Sequence, residues 1–157
     1  MLKVKKILCP TDLSEPSLNA LDYAIEIASL FQAELKLLYV VPVLPPRPAT
    51  PGDPLTSYEI PEYEPMLRKE SEQHLKAIVS QRVPKDVKVD AVIGNGKPAY
   101  EIVRKAEEEK VDLIVIATQG HTGWHHFVVG SVAEKVIQMA PCPVLAVREA
   151  RRATPSA

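Results

Sequence analysis

Leu113-Ile-Val-Ile-Ala-Thr-Gln-Gly-His-Thr-Gly-Trp-His-His-Phe-Val-Val-Gly-Ser131 is the stretch whose reading decides the fold. Leu113–Ile116 has the length and β-branched content of a buried strand. Glycines punctuate the loop that follows, and Val132–Met139 carries a helical pattern. Strand, loop and helix in that order form half of a βαβ unit. The loop also suggests chemistry: glycines let backbone N–H groups approach a phosphate, and Gly130-Ser131 opening a helix aims N–H groups at an anion.

The same alternation runs through the rest of the chain. Downstream, the helix Ser131–Ala140 stops at Pro141 and Val144–Val147 reads as a fifth strand. Upstream, Val111–Ala117 is the fourth strand, preceded by a helix from Pro98 to Glu109, the turn Gly94-Asn95-Gly96 and a third strand at Val87–Ile93. Met66–Val83 is a moderately amphipathic helix ending before Pro84. Pro42–Pro65 holds eight of the chain's fifteen prolines and reads as an irregular excursion lying over the strand ends. Leu35–Val43 is an apolar run dense enough for a buried parallel strand. Ahead of it, Ser14-Glu15-Pro16 starts a helix whose stripe of Leu18, Leu21, Ala24, Ile25, Ala28 and Phe31 runs to about residue 32. Val4–Cys9 is the first strand, stopped by Pro10. These elements predict an α/β fold: one doubly wound domain over residues 1–150, with a five-stranded, mainly parallel sheet, helices on both faces and a frayed tail at 151–157.

Bulk properties narrow the function. With 19 basic and 20 acidic residues among 157, the net charge of -1 gives no field that would recommend a nucleic acid or an anionic membrane as partner. Only Arg148–Arg152 is locally basic. Cys9 and Cys142 make neither a disulfide framework nor a CxxC, and they read as reduced thiols of a cytoplasmic protein. No signal-peptide core develops after the basic Met1–Lys6, and no run reaches transmembrane length.

In an open parallel sheet, ligands sit beyond the carboxyl ends of the strands where strand order reverses. Two polar loops fall at such ends, Pro10-Thr11-Asp12 after the first strand and Ala117–Gly120 after the fourth. If those strands are neighbours, the loops flank one crevice. Asp12 can then accept from a ribose hydroxyl or an adenine edge, while Gly120, Gly130 and Ser131 present donors to phosphates. Read alone, Asp12 is equally well an Asx-turn former leading into the first helix, and Ser131 a helix N-cap.

Pro-Thr-Asp-x-Ser at 10–14, Gly-Lys-Pro-Ala-x-x-Ile at 96–102, Asp-Leu-Ile-Val-Ile-Ala-Thr-Gln-Gly-His-Thr-Gly from 112, Gly-Ser-Val-Ala-Glu-Lys-Val from 130 and Ala-Pro-Cys-Pro-Val-Leu-Ala-Val from 140 together resemble the universal stress protein family over residues 2–148. The resemblance implies the strand order 3-2-1-4-5. The family's ATP-binding branch carries Gly-x2-Gly-x9-Gly-Ser/Thr, matched here by Gly120, Gly130 and Ser131, with Ala117 in place of the first glycine and Gln119 where histidine is frequent. The resemblance implies that Pro10, Thr11, Asp12 and Val40 line the adenine and ribose side. Ile116, Ala117, Thr118, Gln119 and Gly120 then belong to the floor, and Gly130, Ser131, Val132 and Ala133 to the phosphate end. It further implies ATP with magnesium or manganese as ligand, a homodimer through the strand at 143–147, and a stress sensor or regulator whose ATP hydrolysis is at most slow. The alternative within the family is a dimeric interaction module that has lost ATP. Ala117 separates the two: its methyl costs about 1 kcal/mol or more at positive φ and otherwise acts only by crowding a ligand.

Other patterns carry less. Gly94-Asn95-Gly96-Lys97-Pro98-Ala99 satisfies a dinucleotide fingerprint but lies outside the first βα turn, and Asp112 begins the following strand where a ribose-binding acid should end it. There is no P-loop. His121, His125 and His126 include one i, i+4 pair that could ligate a metal, but no cysteine or carboxylate joins them locally, and a solvent-facing loop anchored by Trp124 and Phe127 is the simpler reading. Neither cysteine has the context of a nucleophile.

Overall fold

The computed structural model describes residues 3–43, 63–119 and 129–148. Nine elements alternate along it: β1 (Lys6–Thr11), α1 (Glu15–Phe31), β2 (Glu34–Val41), α2 (Tyr63–Arg82), β3 (Val89–Asn95), α3 (Pro98–Glu108), β4 (Leu113–Ala117), α4 (Ser131–Met139) and β5 (Val144–Val147). All recorded strand pairs are parallel, in the order β3-β2-β1-β4-β5. Parallel neighbours need crossovers. Two leftward steps put α1 and α2 on one face, and the rightward steps put α3 and α4 on the other.

Strand alternation divides the core accordingly. Ile7, Cys9, Leu35, Leu37 and Val115 pack with Leu21, Ala24, Ile25 and Ala28 of α1 and Leu75 of α2. Leu8, Leu38, Val40, Ile114 and Ile116 pack with Ala99, Ile102 and Ala106 of α3 and Ala133 and Val136 of α4. With both faces covered, the central strands must be apolar on both sides, which is why their sequences run as continuous hydrophobic stretches. The α1 stripe is closed at each end. Ser14 is its N-cap, accepting from the Ser17 N–H, and Gln32 at φ 52° takes the left-handed conformation that lets Ala33 N–H donate back to Ala28 C=O at 2.9 Å. No helix among the described residues is long and apolar enough to cross a membrane.

Two prolines sit differently from the sequence expectation. Pro10 does not stop the first strand; it lies inside β1, paired with Leu38 of β2. On its other side the ladder to β4 ends at Leu8↔Ile114, so a missing donor there breaks no recorded pair. Residues 63–65 are not part of the proline-rich excursion, because α2 starts at Tyr63 and carries Pro65 in its first turn, where N–H groups have no intrahelical acceptor. The rest of the excursion, 44–62, and the tail at 149–157 lie outside the described residues.

The end of the sheet where the strands begin is tied by charge. Lys36, buried with its side chain 8% exposed, sits 3.1 Å from Asp90, 3.4 Å from Glu109 and 3.5 Å from Glu34. Lys6 adds a hydrogen bond at 3.0 Å to the carbonyl of Glu109, which caps the negative end of α3. Burial opposes the Lys36 ammonium, but the hydrogen bond it donates to Asp90 and the charges of Asp90, Glu109 and Glu34 outweigh it and hold its pKa above the ordinary lysine value. Glu34 is held below the usual carboxylate range, chiefly by its hydrogen bond from Lys88 and then by the charges of Lys88 and Lys36. Asp112 accepts from the N–H groups of Lys5 and Lys6 at 2.8 and 3.0 Å. That role, at the end away from the strands' carboxyl termini, removes it as a ribose ligand.

Candidate functional site

Because β1 and β4 part beyond Leu8↔Ile114, the reversal of strand order opens a crevice of about 380 Å³, within the range of small-molecule sites. Pro10, Thr11 and Asp12 line it from β1, Ser17 from α1, Leu38, Tyr39, Val40 and Pro42 from β2 and its exit, and Pro98 and Ile102 from α3. Ile116, Ala117, Thr118 and Gln119 come from the end of β4, and Gly130, Ser131, Val132 and Ala133 from the start of α4. Every candidate residue named from the sequence is among these except Gly120. Gly120 lies outside the described residues, as do Trp124, Phe127 and the histidines at 121, 125 and 126.

The β1 side is built by a short strained turn. Leu13 adopts φ 67°, which costs a non-glycine residue about 1–2 kcal/mol. Hydrogen bonds around it hold the conformation: Leu13 N–H donates to Thr11 Oγ1 at 3.0 Å, Ser14 N–H donates to Asp12 Oδ1 at 3.0 Å, and the Ser14 hydroxyl donates to the same carboxylate. Ser17 Oγ donates to Ser14 C=O and shares a 2.8 Å bond with Thr11 Oγ1, so the buried hydroxyls of Thr11, Ser14 and Ser17 are all partnered. Asp12 is thus an Asx-turn former, as one of its two readings had it. Asp12 also lines the crevice.

On the floor, Ala117 is not among the positive-φ residues, which for non-glycine positions in the described chain are Leu13, Gln32 and Lys110. Its methyl therefore carries no backbone strain. It is 9% exposed, belongs to neither apolar cluster and lines the crevice, which reduces the effect of the alanine to a question of room.

The α4 side corrects one expectation. The N–H of Gly130 donates to Thr118 C=O at 2.6 Å and so is not offered to an anion. Gly130 instead allows close approach, since a Cβ there would stand 3.2 Å from that same carbonyl oxygen. It is also the N-cap, with Ser131 the first helical residue and no side chain capping the turn. The N–H groups of Ser131, Val132 and Ala133 are those that a helix start leaves without intrahelical acceptors, and all three residues line the crevice.

Sequence reasoning passed over Ser17, Leu38, Tyr39, Pro42, Pro98 and Ile102. For Pro98 and Ile102 a signal existed: Gly-Lys-Pro-Ala-x-x-Ile places them four apart, on one face of α3, at its crevice end. Gly94 and Gly96 serve a packing role, close over the Glu101 side chain, with Gly96 at φ 129°. Among the described residues no group of three potential ligands could hold a metal ion. Burial, with a smaller contribution from Asp22, pushes the Cys9 thiol up to about 12, and burial also raises Cys142, so neither has thiolate character near neutral pH.

Known proteins share both sequence and fold with this chain. The sequence model of the universal stress protein family matches residues 3–148. Universal stress protein MJ0531 of Methanocaldococcus jannaschii is 41% identical over 148 residues, covering 94% of this chain and 84% of the relative. Protein MJ0577 of the same organism superposes with a TM-score of 0.77 at 32% identity, over 94% of this chain and 98% of that one. At the level of fold alone, this chain also resembles a universal stress protein in complex with cAMP, at 23% identity and TM-score 0.60. A second such likeness is to one from Archaeoglobus fulgidus in complex with dAMP, at 21% and 0.59. A profile match over nearly the whole chain, close relatives and the sheet order β3-β2-β1-β4-β5 agree: the chain belongs to the universal stress protein family.

Proposed function

We propose that this protein binds ATP, with magnesium or manganese, in the crevice between β1 and β4 and acts as a stress sensor or regulator. The observation that carries this is the two-sided chemistry of the crevice. Pro10, Leu38, Val40, Pro42, Ile102 and Ile116 give apolar surface for a base, Asp12 gives an acceptor for ribose hydroxyls, and the first turn of α4 gives N–H donors for phosphate. Fold-level relatives in complex with cAMP and dAMP support an adenine nucleotide as the ligand class. The cation would be held by the phosphates, a habit of magnesium, which keeps much of its water. Among the described lining residues the single carboxylate, Asp12, belongs to the β1 turn, which favours binding and signalling over rapid hydrolysis.

Isothermal titration with ATP and magnesium tests the reading directly. Asp12→Asn keeps an oxygen for the Ser14 N–H but loses the charge, and it should weaken ATP about tenfold, the cost of one charge-assisted hydrogen bond. No heat up to millimolar ATP with the parent protein would refute ATP binding. The second reading, a nucleotide-free interaction module, is favoured by the Ala117 methyl on the floor.

Either way we propose a homodimer through Pro143–Val147. β5 is an edge strand with Ala146 and Leu145 exposed, the latter to 39%, an apolar edge that a second copy would cover. Light scattering at micromolar concentration should then return twice the 17.3 kDa of the chain, and a monomer mass would exclude this dimer.

A further inference from the structure

The crevice does not end at α4. A second, shallower cavity of about 220 Å³ adjoins it, sharing Pro98, Ser131 and Val132, and Lys97 and Lys135 line this annex. Both lysines are exposed, and neither is engaged by a carboxylate or a carbonyl among the described residues. Lys135 lies one turn after Ser131 on the same face of α4, and Lys97 immediately precedes α3. A ligand whose phosphates start at the first turn of α4 and continue outward past Ser131 enters a space lined by Lys97 and Lys135.

We propose that Lys97 and Lys135 are specificity-determining residues that select adenine nucleotides carrying a polyphosphate chain over monophosphates. The inference rests on the adenine-nucleotide reading of the main crevice. A monophosphate satisfies the α4 turn and stops there. Two further phosphates add charge only in the annex, where compact, rotatable lysine ammoniums serve as point charges for phosphate oxygens. The selectivity is electrostatic and solvent-exposed, so it weakens with salt.

The test is titration of the parent, Lys97→Gln, Lys135→Gln and the double variant with ATP and with AMP, at low and moderate salt. Each single change should weaken ATP about fivefold and the double about twentyfold, the scale of exposed charge contacts, with AMP altered less than about twofold. The ratio of ATP to AMP affinity in the parent should also fall as salt rises. An unchanged ratio in the double variant, or equal losses for ATP and AMP, overturns the selectivity role while leaving the nucleotide reading intact. A parent protein that binds neither ligand overturns both. Both residues are exposed, so unfolding midpoints are expected to stay within about 2 °C and serve as the folding control.

Discussion

Ala117→Leu is expected to abolish ATP binding, with at least about a hundredfold loss in calorimetric titration, while the thermal midpoint moves by less than about 4 °C. Ala117 lies in β4, belongs to neither apolar cluster and lines the crevice, so three added carbons are expected to take up room that the ligand needs. The opposite change should show the reverse sign. Ala117→Gly removes a methyl without releasing backbone strain, so any gain in affinity measures crowding alone, and about tenfold is the expected size. Glycine within a strand costs about 0.5–1 kcal/mol in stability, and the two effects are separable because one appears in titration and the other in unfolding. ATP affinity within threefold of the parent in Ala117→Leu would remove this residue from the ligand's path.

The second large effect concerns the other end of the sheet. Lys36→Met should destabilise the protein by about 2–3 kcal/mol, or about 6–10 °C in midpoint for a chain of this size. Removing the ammonium leaves Glu34, Asp90 and Glu109 facing one another without their shared partner. The estimate sits below the range for fully buried pairs because these carboxylates are 22%, 55% and 31% exposed. The pH dependence gives the sharper signature. In the parent, the lowered Glu34 pKa contributes stability that is present above its ordinary value of 4.5 and is lost as pH falls through the folded value beneath it. The raised Lys36 pKa contributes stability that is present below its ordinary 10.5 and is lost as pH rises through the folded value above it. In Lys36→Met, Glu34 loses the part of its lowering that Lys36 supplies, so the gap between variant and parent should narrow from pH 7 toward pH 4. A gap that stays constant across that range would mean that the loss comes from packing instead of charge.

Much of this fold is written in local patterns, and what is missing from them is non-local. Leu113–Ile116, Leu35–Val43 and the α1 stripe each announce an element, because a strand covered on both faces needs an unbroken apolar run and a covered helix needs a stripe. Proline misplaced boundaries at Pro10 and Pro65, while Pro84 and Pro141 do follow the ends of α2 and α4. Pro10 and Pro65 are carried inside elements because the bond each would have made has no partner at that place in the assembled fold. Lys36 looks like a polar interruption in an apolar strand until β3 and the end of α3 bring Asp90 and Glu109 beside Glu34 of its own strand.

The site was legible to the same extent. Pro10-Thr11-Asp12 and Gly130-Ser131 point to a crevice from two ends of the chain. Ser17, Leu38, Tyr39 and Pro42 join it only because β1, β2 and β4 share a sheet end, and no spacing in the sequence encodes that meeting. Gly130 shows the limit in miniature: its residue type was informative, but the acceptor of its N–H, a carbonyl twelve residues earlier, was not visible in the pattern.

That 2.6 Å bond from Gly130 to Thr118 works as a clasp. It joins the exit of β4 to the entrance of α4 by backbone atoms alone, whatever side chains lie between. The scaffold and the intervening sequence are thereby uncoupled, since closing a longer or shorter connection changes the free energy only logarithmically with its length. A change in the length of the stretch between the clasped ends is therefore expected to cost little in folding while α4 keeps its aim.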